Sequence, residues 1–296
     1  MGSRDTLRAK LQRRLLHASH RLQSLAYVGA WSQTGLEARI IADLEHEGVH
    51  VTSIEALFHD AAAQIHASFA LASQLIRDAS QASEGIWTRR ESSTDLRPDV
   101  LLRRLPALYL LGLDSRLLSL VQHYLRLPVA YHGAVVRRSQ VDGAGAGPRL
   151  WHQDAEDFHV CRVLVYMNDV GPGGGPFEYI PRYLGPTYKD VSCGNYMLTN
   201  EQMAQVLAPE HWKRVYGPAG TVIIADTAQV FHHESMQTDR ERTVTMIGYS
   251  SRRPRGLKLA MTHFPAESLL DTLKSVVPPA KHAHVFEWRR ATAMIN

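Results

Sequence analysis

The spacing of apolar positions divides the chain into two parts. Up to residue 127 they recur three and four apart. Leu7, Leu11, Leu15, Leu22 and Leu25 do so among Arg and Lys in 4–25, and LEARIIADLEH (36–46), the alanine-rich 55–79 and 114–126 continue the pattern. These segments predict helices. Gly48 ends the second, and one early strand, VHVTSI (49–54), follows it. From Pro128 the apolar runs become short and β-branched or aromatic: VAYHGAVVRRSQV, RLWHQD, HVCRVLVYMNDV, FEYIP, GTVIIAD and RTVTMIGYS, separated by Gly and Pro turns. Such strands predict a sandwich or barrel, the double-sheet jelly roll among them. The stretch 83–100 mixes Gly, Ser, Pro and charge without a period and reads as a loop.

No repeat, low-complexity block or long polar linker interrupts this order. The expectation is one domain over 1–296, with 1–127 as mainly helical support, 128–250 as the β core and 251–296 as a C-terminal cover. The basic first helix could lie on acidic lipid, but packing against its own domain is the expected outcome, and a myristoylation-like start at Gly2 carries little weight.

Composition narrows the function classes. The 296 residues are 45% hydrophobic, and 33 Lys+Arg against 29 Asp+Glu leave a charge of only +4, too small a surplus to suggest a nucleic-acid surface. Two cysteines, Cys161 and Cys193, suit a reducing compartment. With no membrane-length apolar run or signal core, a cytoplasmic protein is expected.

Chemistry concentrates in WHQD. On an extended strand His152 and Asp154, two apart, project from one face. A third ligand is available from FHHES, as His232 or His233, at the end of the run GTVIIAD. Two histidines and one carboxylate form the facial triad that holds Fe(II) with open positions. A chain with 16 His contains roughly one H-x-D or H-x-E by accident, so the pair draws its weight from its order and spacing relative to the second run. Arg242 opens the strand RTVTMIGY and can aim inward, where a carboxylate partner would offset the cost of burial. Arg162, in the middle of an apolar strand, invites the same reading, with an ion pair to Asp157 or another carboxylate as its structural alternative. Glu156 and Asp157 read as rim charges, Trp151 as core, and His159, His211, His263, His282 and His284 as ordinary.

WHQD, YMNDVGPGGGPFEYIP, GTVIIADTAQVFHH and Arg242 together resemble the Fe(II)/2-oxoglutarate-dependent oxygenases of the phytanoyl-CoA dioxygenase-like family, over about residues 125–250. The resemblance implies a mainly β, α+β fold: a cupin-like double-stranded β-helix with a helical N-terminal third. It implies iron held by His152, Asp154 and His232, with 2-oxoglutarate and O2 as co-substrates and Arg242 on the far carboxylate of 2-oxoglutarate. His232 is preferred to His233 because Phe-His is the family's usual run into the ligand and Arg242 follows at ten residues. Arg162 is a second candidate for holding the co-substrate or a substrate acid. The implied reaction is oxidation of an unactivated C–H of a small metabolite, an amino acid or natural-product intermediate. Asp154 favours hydroxylation over halogenation. An acyl-CoA or carrier-bound substrate, and a non-oxidising jelly-roll metal binder, are the alternatives. The chain departs from the family after Pro181, where Arg182-Tyr183-Leu184-Gly185 replaces Gly-Ser-His. It departs again at Val244, which replaces a serine for which Thr245 or a tyrosine could substitute. Residues 83–100, 182–200 and the C-terminal third are the expected lids.

Overall fold

Antiparallel pairing organises the chain from residue 49 onward in the computed structural model, which describes residues 3–27, 35–81, 87–89, 93–186 and 197–289. In chain order the strands are β1 (Val49–Ser53), β2 (Trp87–Arg89), β3 (Ser93–Leu96), β4 (Val129–Ser139), β5 (Cys161–Tyr166), β6 (Phe177–Tyr179), β7 (Lys213–Val215), β8 (Thr221–Asp226), β9 (His232–Glu234) and β10 (Arg242–Ser251). Seven form one sheet in the order β1-β8-β5-β10-β4-β3-β2, and β7-β6-β9 form a smaller sheet. Alternation along the strands sorts the core. Val163, Val165, Val222, Ile224, Ile247 and Tyr249 join the helices in one cluster, whereas Leu164, Tyr166, Ile223, Ala225 and Val244 join Phe177, Tyr179 and Val215 of the small sheet in another. This is the expected double-stranded β-helix, with a helical N-terminal region against its large sheet.

The four helices longer than ten residues among those described are α1 (Ser3–Leu25), α2 (Gly35–His46), α3 (Ala62–Gln81) and α4 (Ser115–Leu125). Ile40 and Leu44 of α2, Phe69 and Ile76 of α3, and Leu117 and Val121 of α4 enter the large core. Gly48 ends the second helical segment at φ +84°, with the N–H groups of Glu47 and Gly48 both donating to Asp43 O. Among the described residues no helix is long and apolar enough to cross a membrane.

Five expectations need correction. The leucine stripe of α1 is not packed: Leu11, Leu15, Leu22 and Leu25 are exposed, and the helix docks through its opposite face, where His20 is buried and His17 and His20 meet Phe158. The expected helix over 55–79 breaks at Phe58, because a first turn capped by Ser53 closes at Ile54–Leu57 before α3 begins. RLWHQD forms no ladder strand; Trp151 and His152 make only isolated bridges to Leu198 and His232. Part of 83–100 extends the large sheet, since β3 pairs with β4 and Asp95 grips Arg137 with two bonds of 2.7 and 2.9 Å. Finally, much of the C-terminal segment is scaffold, with Leu273, Val277, Val285 and Trp288 in the large core. Residues 82–86, 90–92, 187–196 and 290–296, including Cys193 and most of the expected 182–200 lid, lie outside the described residues.

The Asp95–Arg137 pair is buried on both sides. Asp95→Ala leaves a buried guanidinium without its carboxylate and should cost about 3–5 kcal/mol. Urea unfolding checks this, and a loss below about 1 kcal/mol would contradict it.

Candidate active site

Two backbone bonds of 3.0 Å tie His152 to His232 and set their side chains on one face, with ring centroids 4.4 Å apart. Asp154 is brought in separately, its N–H donating to Thr227 O at 2.9 Å just past β8. One ligand atom from each of His152, Asp154 and His232 then lies within 4.8 Å of the others. The remaining atoms are already engaged. Nδ1 of His152 donates to Leu150 O at 2.8 Å, and Nδ1 of His232 faces Val230 O at 3.2 Å, which leaves both Nε2 lone pairs for the centre. Asp154 Oδ2 accepts from Arg162 Nε at 2.9 Å and Thr227 Oγ1 at 2.7 Å, while Oδ1 stands 3.8 Å from His152 Nε2.

Electrostatics keep these donors ready. Burial pushes His232 down to about 3, with His152 adding to the effect, so the ring is neutral and carries a lone pair at ordinary pH. Burial alone would raise the Asp154 carboxyl, but Arg162, His232, His152 and the Thr227 hydroxyl together hold it well below the usual carboxylate range.

His233 points the other way. Its Nδ1 lies 3.0 Å from Arg149 O, its Nε2 lies 2.8 Å from Glu178 Oε2, and its ring packs on Trp151. Both of its nitrogens face oxygens away from His152 and Asp154, and His232 is the histidine that lies beside them. Trp151 is buried as expected.

Arg162 takes its ion-pair alternative, bonding Asp154 and, through Nη2, Glu156. Glu156 and Asp157 are buried rather than on the rim; Asp157 accepts from the Ser251 N–H at 3.1 Å and from its hydroxyl at 2.6 Å. Because Arg162 holds the non-ligating oxygen of Asp154, Arg162→Met should weaken metal binding by about 10–100-fold. Calorimetric titration with a divalent ion reads this directly, and wild-type affinity would remove Arg162 from the site.

Arg242 faces the interior on the same side of β10 as Val244 and Met246. Nη1 donates to Gly175 O at 2.9 Å and Nη2 bonds Glu234, whose other oxygen accepts from Gln237 Nε2 at 2.5 Å. Nε is buried without a hydrogen-bond partner. Thr245 cannot stand in for the family's serine, because it lies on the opposite face with its hydroxyl against Met167 Sδ. Tyr166 is the tyrosine near Arg242. Thr227 and Glu234 also belong to the site; Glu234, in the second H-x-D or H-x-E match of the sequence, stood open there as a supporting carboxylate or as nothing. Glu234 was recoverable by strand period, two residues beyond His232, whereas nothing in the sequence ties Thr227 to Asp154. These groups line a cavity of about 980 Å³ that reaches out to Arg13, Phe158, Arg255, Leu259 and His263.

The fold is the one found in solved iron and 2-oxoglutarate enzymes. EctD from S. alaskensis with bound Fe aligns at TM-score 0.55 and 18% identity, over 80% of this chain and 88% of that one. The epimerase SnoN, in complex with Fe3+, alpha ketoglutarate and nogalamycin RO, aligns at 0.53 and 18%, over 78% and 92%. The carbocyclase SnoK from nogalamycin biosynthesis aligns at 0.51 and 15%, over 85% and 95%. No family model matches the sequence, and no curated protein matches it significantly. At these identities the likeness is one of fold.

Proposed function

We propose that this chain is an Fe(II)- and 2-oxoglutarate-dependent oxygenase that hydroxylates an unactivated C–H of a small metabolite, an amino acid or natural-product intermediate. The observation that carries this reading is the convergence of His152, Asp154 and His232 with every non-ligating atom already hydrogen-bonded. Two imidazoles and an ionised carboxylate on one face suit Fe(II) with open positions. The buried, unpartnered Nε of Arg242 suits an incoming carboxylate. Bound together, iron, 2-oxoglutarate and O2 supply a C–H oxidant and release succinate and CO2. A cavity of about 980 Å³ has room for a co-substrate and a small molecule together. A cytoplasmic location is part of the proposal, supported by the free, buried Cys161.

Within this scheme the residues have separate tasks. The Leu150 and Val230 carbonyls aim the imidazoles. Arg162 and Thr227 keep Asp154 ionised and present one oxygen to the metal. Arg242 receives the far carboxylate, for which Glu234 competes. Glu234→Gln removes that fixed anion and should lower the 2-oxoglutarate concentration needed by about tenfold. That is a modest fraction of the ~4 kcal/mol that two unit charges exchange at 4 Å and an effective dielectric of 20. Unchanged or weaker binding would instead assign Glu234 to holding Arg242 in place.

Anaerobic addition of Fe(II) and 2-oxoglutarate tests the whole reading through the weak visible charge-transfer band of a chelated 2-oxo acid. Absence of the band in wild-type protein would leave a non-oxidising jelly-roll metal binder. A metabolite panel scored by stimulated succinate formation then addresses the substrate.

A further inference from the structure

His132, on β4, carries an acceptor that the protein does not satisfy. The residue is 1% exposed and borders the cavity beside Gly133, Gly248 and His263. Its Nε2 lies 2.7 Å from Ser250 Oγ, and that hydroxyl donates its own proton to Ser251 O at 3.0 Å. A hydroxyl has one hydrogen, and with it on Ser251 O, Ser250 Oγ accepts from the ring and His132 is the Nε2–H tautomer. Nδ1 is then a bare lone pair, and it has no hydrogen-bond partner. Burial, reinforced by Arg162 and His263, holds the ring well below its usual pKa and therefore neutral.

Arg162 flanks the same point. A Cβ built on Gly248 would collide with Arg162 Nη1 and lie 3.3 Å from His132 Nδ1, so the missing side chain lets a donor and an acceptor border one spot of the wall. The spot is remote from the co-substrate end. Gly248 lies six residues along β10 from Arg242, about 20 Å at 3.3 Å per residue, beyond the span of a five-carbon diacid held there. Through Arg162 it adjoins Asp154, which places it on the substrate side of the centre.

Resting on the oxygenase reading for its place in a reaction, we infer that His132 Nδ1 and Arg162 Nη1 form a subsite for a neutral hydroxyl of the substrate. The hydroxyl donates to Nδ1 and accepts from Nη1. An ammonium is repelled by Arg162, and a carbonyl or ether has no proton to give. A site built this way discriminates strongly, because an analogue without the hydroxyl leaves a buried lone pair unmet. The substrate class is thus an alcohol, such as a sugar, polyol or hydroxylated ring, and Ser250 is a positioning residue that sets the tautomer.

The test uses the full-length protein without metal and three probes of similar shape: cyclohexanol, cyclohexanone and methoxycyclohexane. Nitrogen-15 spectra of the free protein should show the His132 proton on Nε2. Cyclohexanol should shift Nδ1 and bind about tenfold or more tighter than either control. His132→Phe should erase that preference. Ser250→Ala, which keeps the ring and frees its tautomer, should narrow the preference by admitting cyclohexanone. A proton on Nδ1 in the free protein, equal binding of the three probes, or an alcohol preference that survives His132→Phe or is untouched by Ser250→Ala would each overturn the inference. So would an Nδ1 signal that no probe moves, which would give the lone pair to a structural water. None of these readings requires iron or 2-oxoglutarate, so loss of the charge-transfer band and loss of the alcohol subsite are separate results.

Discussion

Asp154→Ala is expected to lose Fe(II) binding by more than about 100-fold, beyond the 10–100-fold that outer hydrogen-bond partners are worth. The residue supplies the only anion of the three-ligand set, and nothing else places a carboxylate oxygen within 4.8 Å of both imidazoles among the described residues. Calorimetry of anaerobic Fe(II) binding and the chelate band should fail together. Removing the carboxylate also takes away one of the two carboxylates that Arg162 bonds, leaving its Nε without that partner, so a folding defect would confuse the result. Asp154→Asn separates the two effects: its amide oxygen still accepts from Arg162 while the anionic ligand is gone. It should melt near the wild type and still bind iron poorly. Iron bound by Asp154→Asn with wild-type affinity would remove residue 154 from the centre.

Arg242→Ala is expected to raise the 2-oxoglutarate requirement by about 10–100-fold, the equivalent of the 1.5–3 kcal/mol that a hydrogen bond to a charged group contributes. Iron binding without 2-oxoglutarate should be unchanged, because Arg242 touches Glu234 and Gly175 and none of the three ligands. The single substitution leaves Glu234 buried beside the gap. Combining it with Glu234→Gln removes that stranded charge and gives a variant in which the co-substrate effect can be read without a stability loss. An unchanged requirement in both variants would reassign the arginine to structure.

The parts of the molecule legible in the sequence are those set by short-range rules. Short β-branched or aromatic runs bounded by Gly and Pro placed β4, β5, β8 and β10, and the 3.6-residue period, with Gly48 as a stop, placed α2 and α4. The short β7, Lys213–Val215, escaped notice because three residues carry no period, and β3 escaped because Ser93-Thr94-Asp95 is polar. Its polarity makes sense only beside Arg137. The outward leucines of α1 show the opposite failure. Their spacing was real, but spacing does not say which face meets the domain, and the contacts go through the buried His20 and its neighbour His17, both against Phe158.

Residue types in order brought forward His152, Asp154 and the His232–His233 pair as candidate ligands, and the resemblance to the oxygenases added the preference for His232 and the role of Arg242. Only the tertiary structure shows that His232, and not His233, lies beside His152 and Asp154, because adjacent residues on a strand face opposite ways. The same holds for Arg162, whose carboxylate partners Asp154 and Glu156 lie on a loop folded back over it. It holds equally for Glu234 beside Arg242 and for the unmet lone pair of His132. Whether a buried polar atom has a partner is a property of what surrounds it in space, and contacts between distant segments leave no local pattern in the chain.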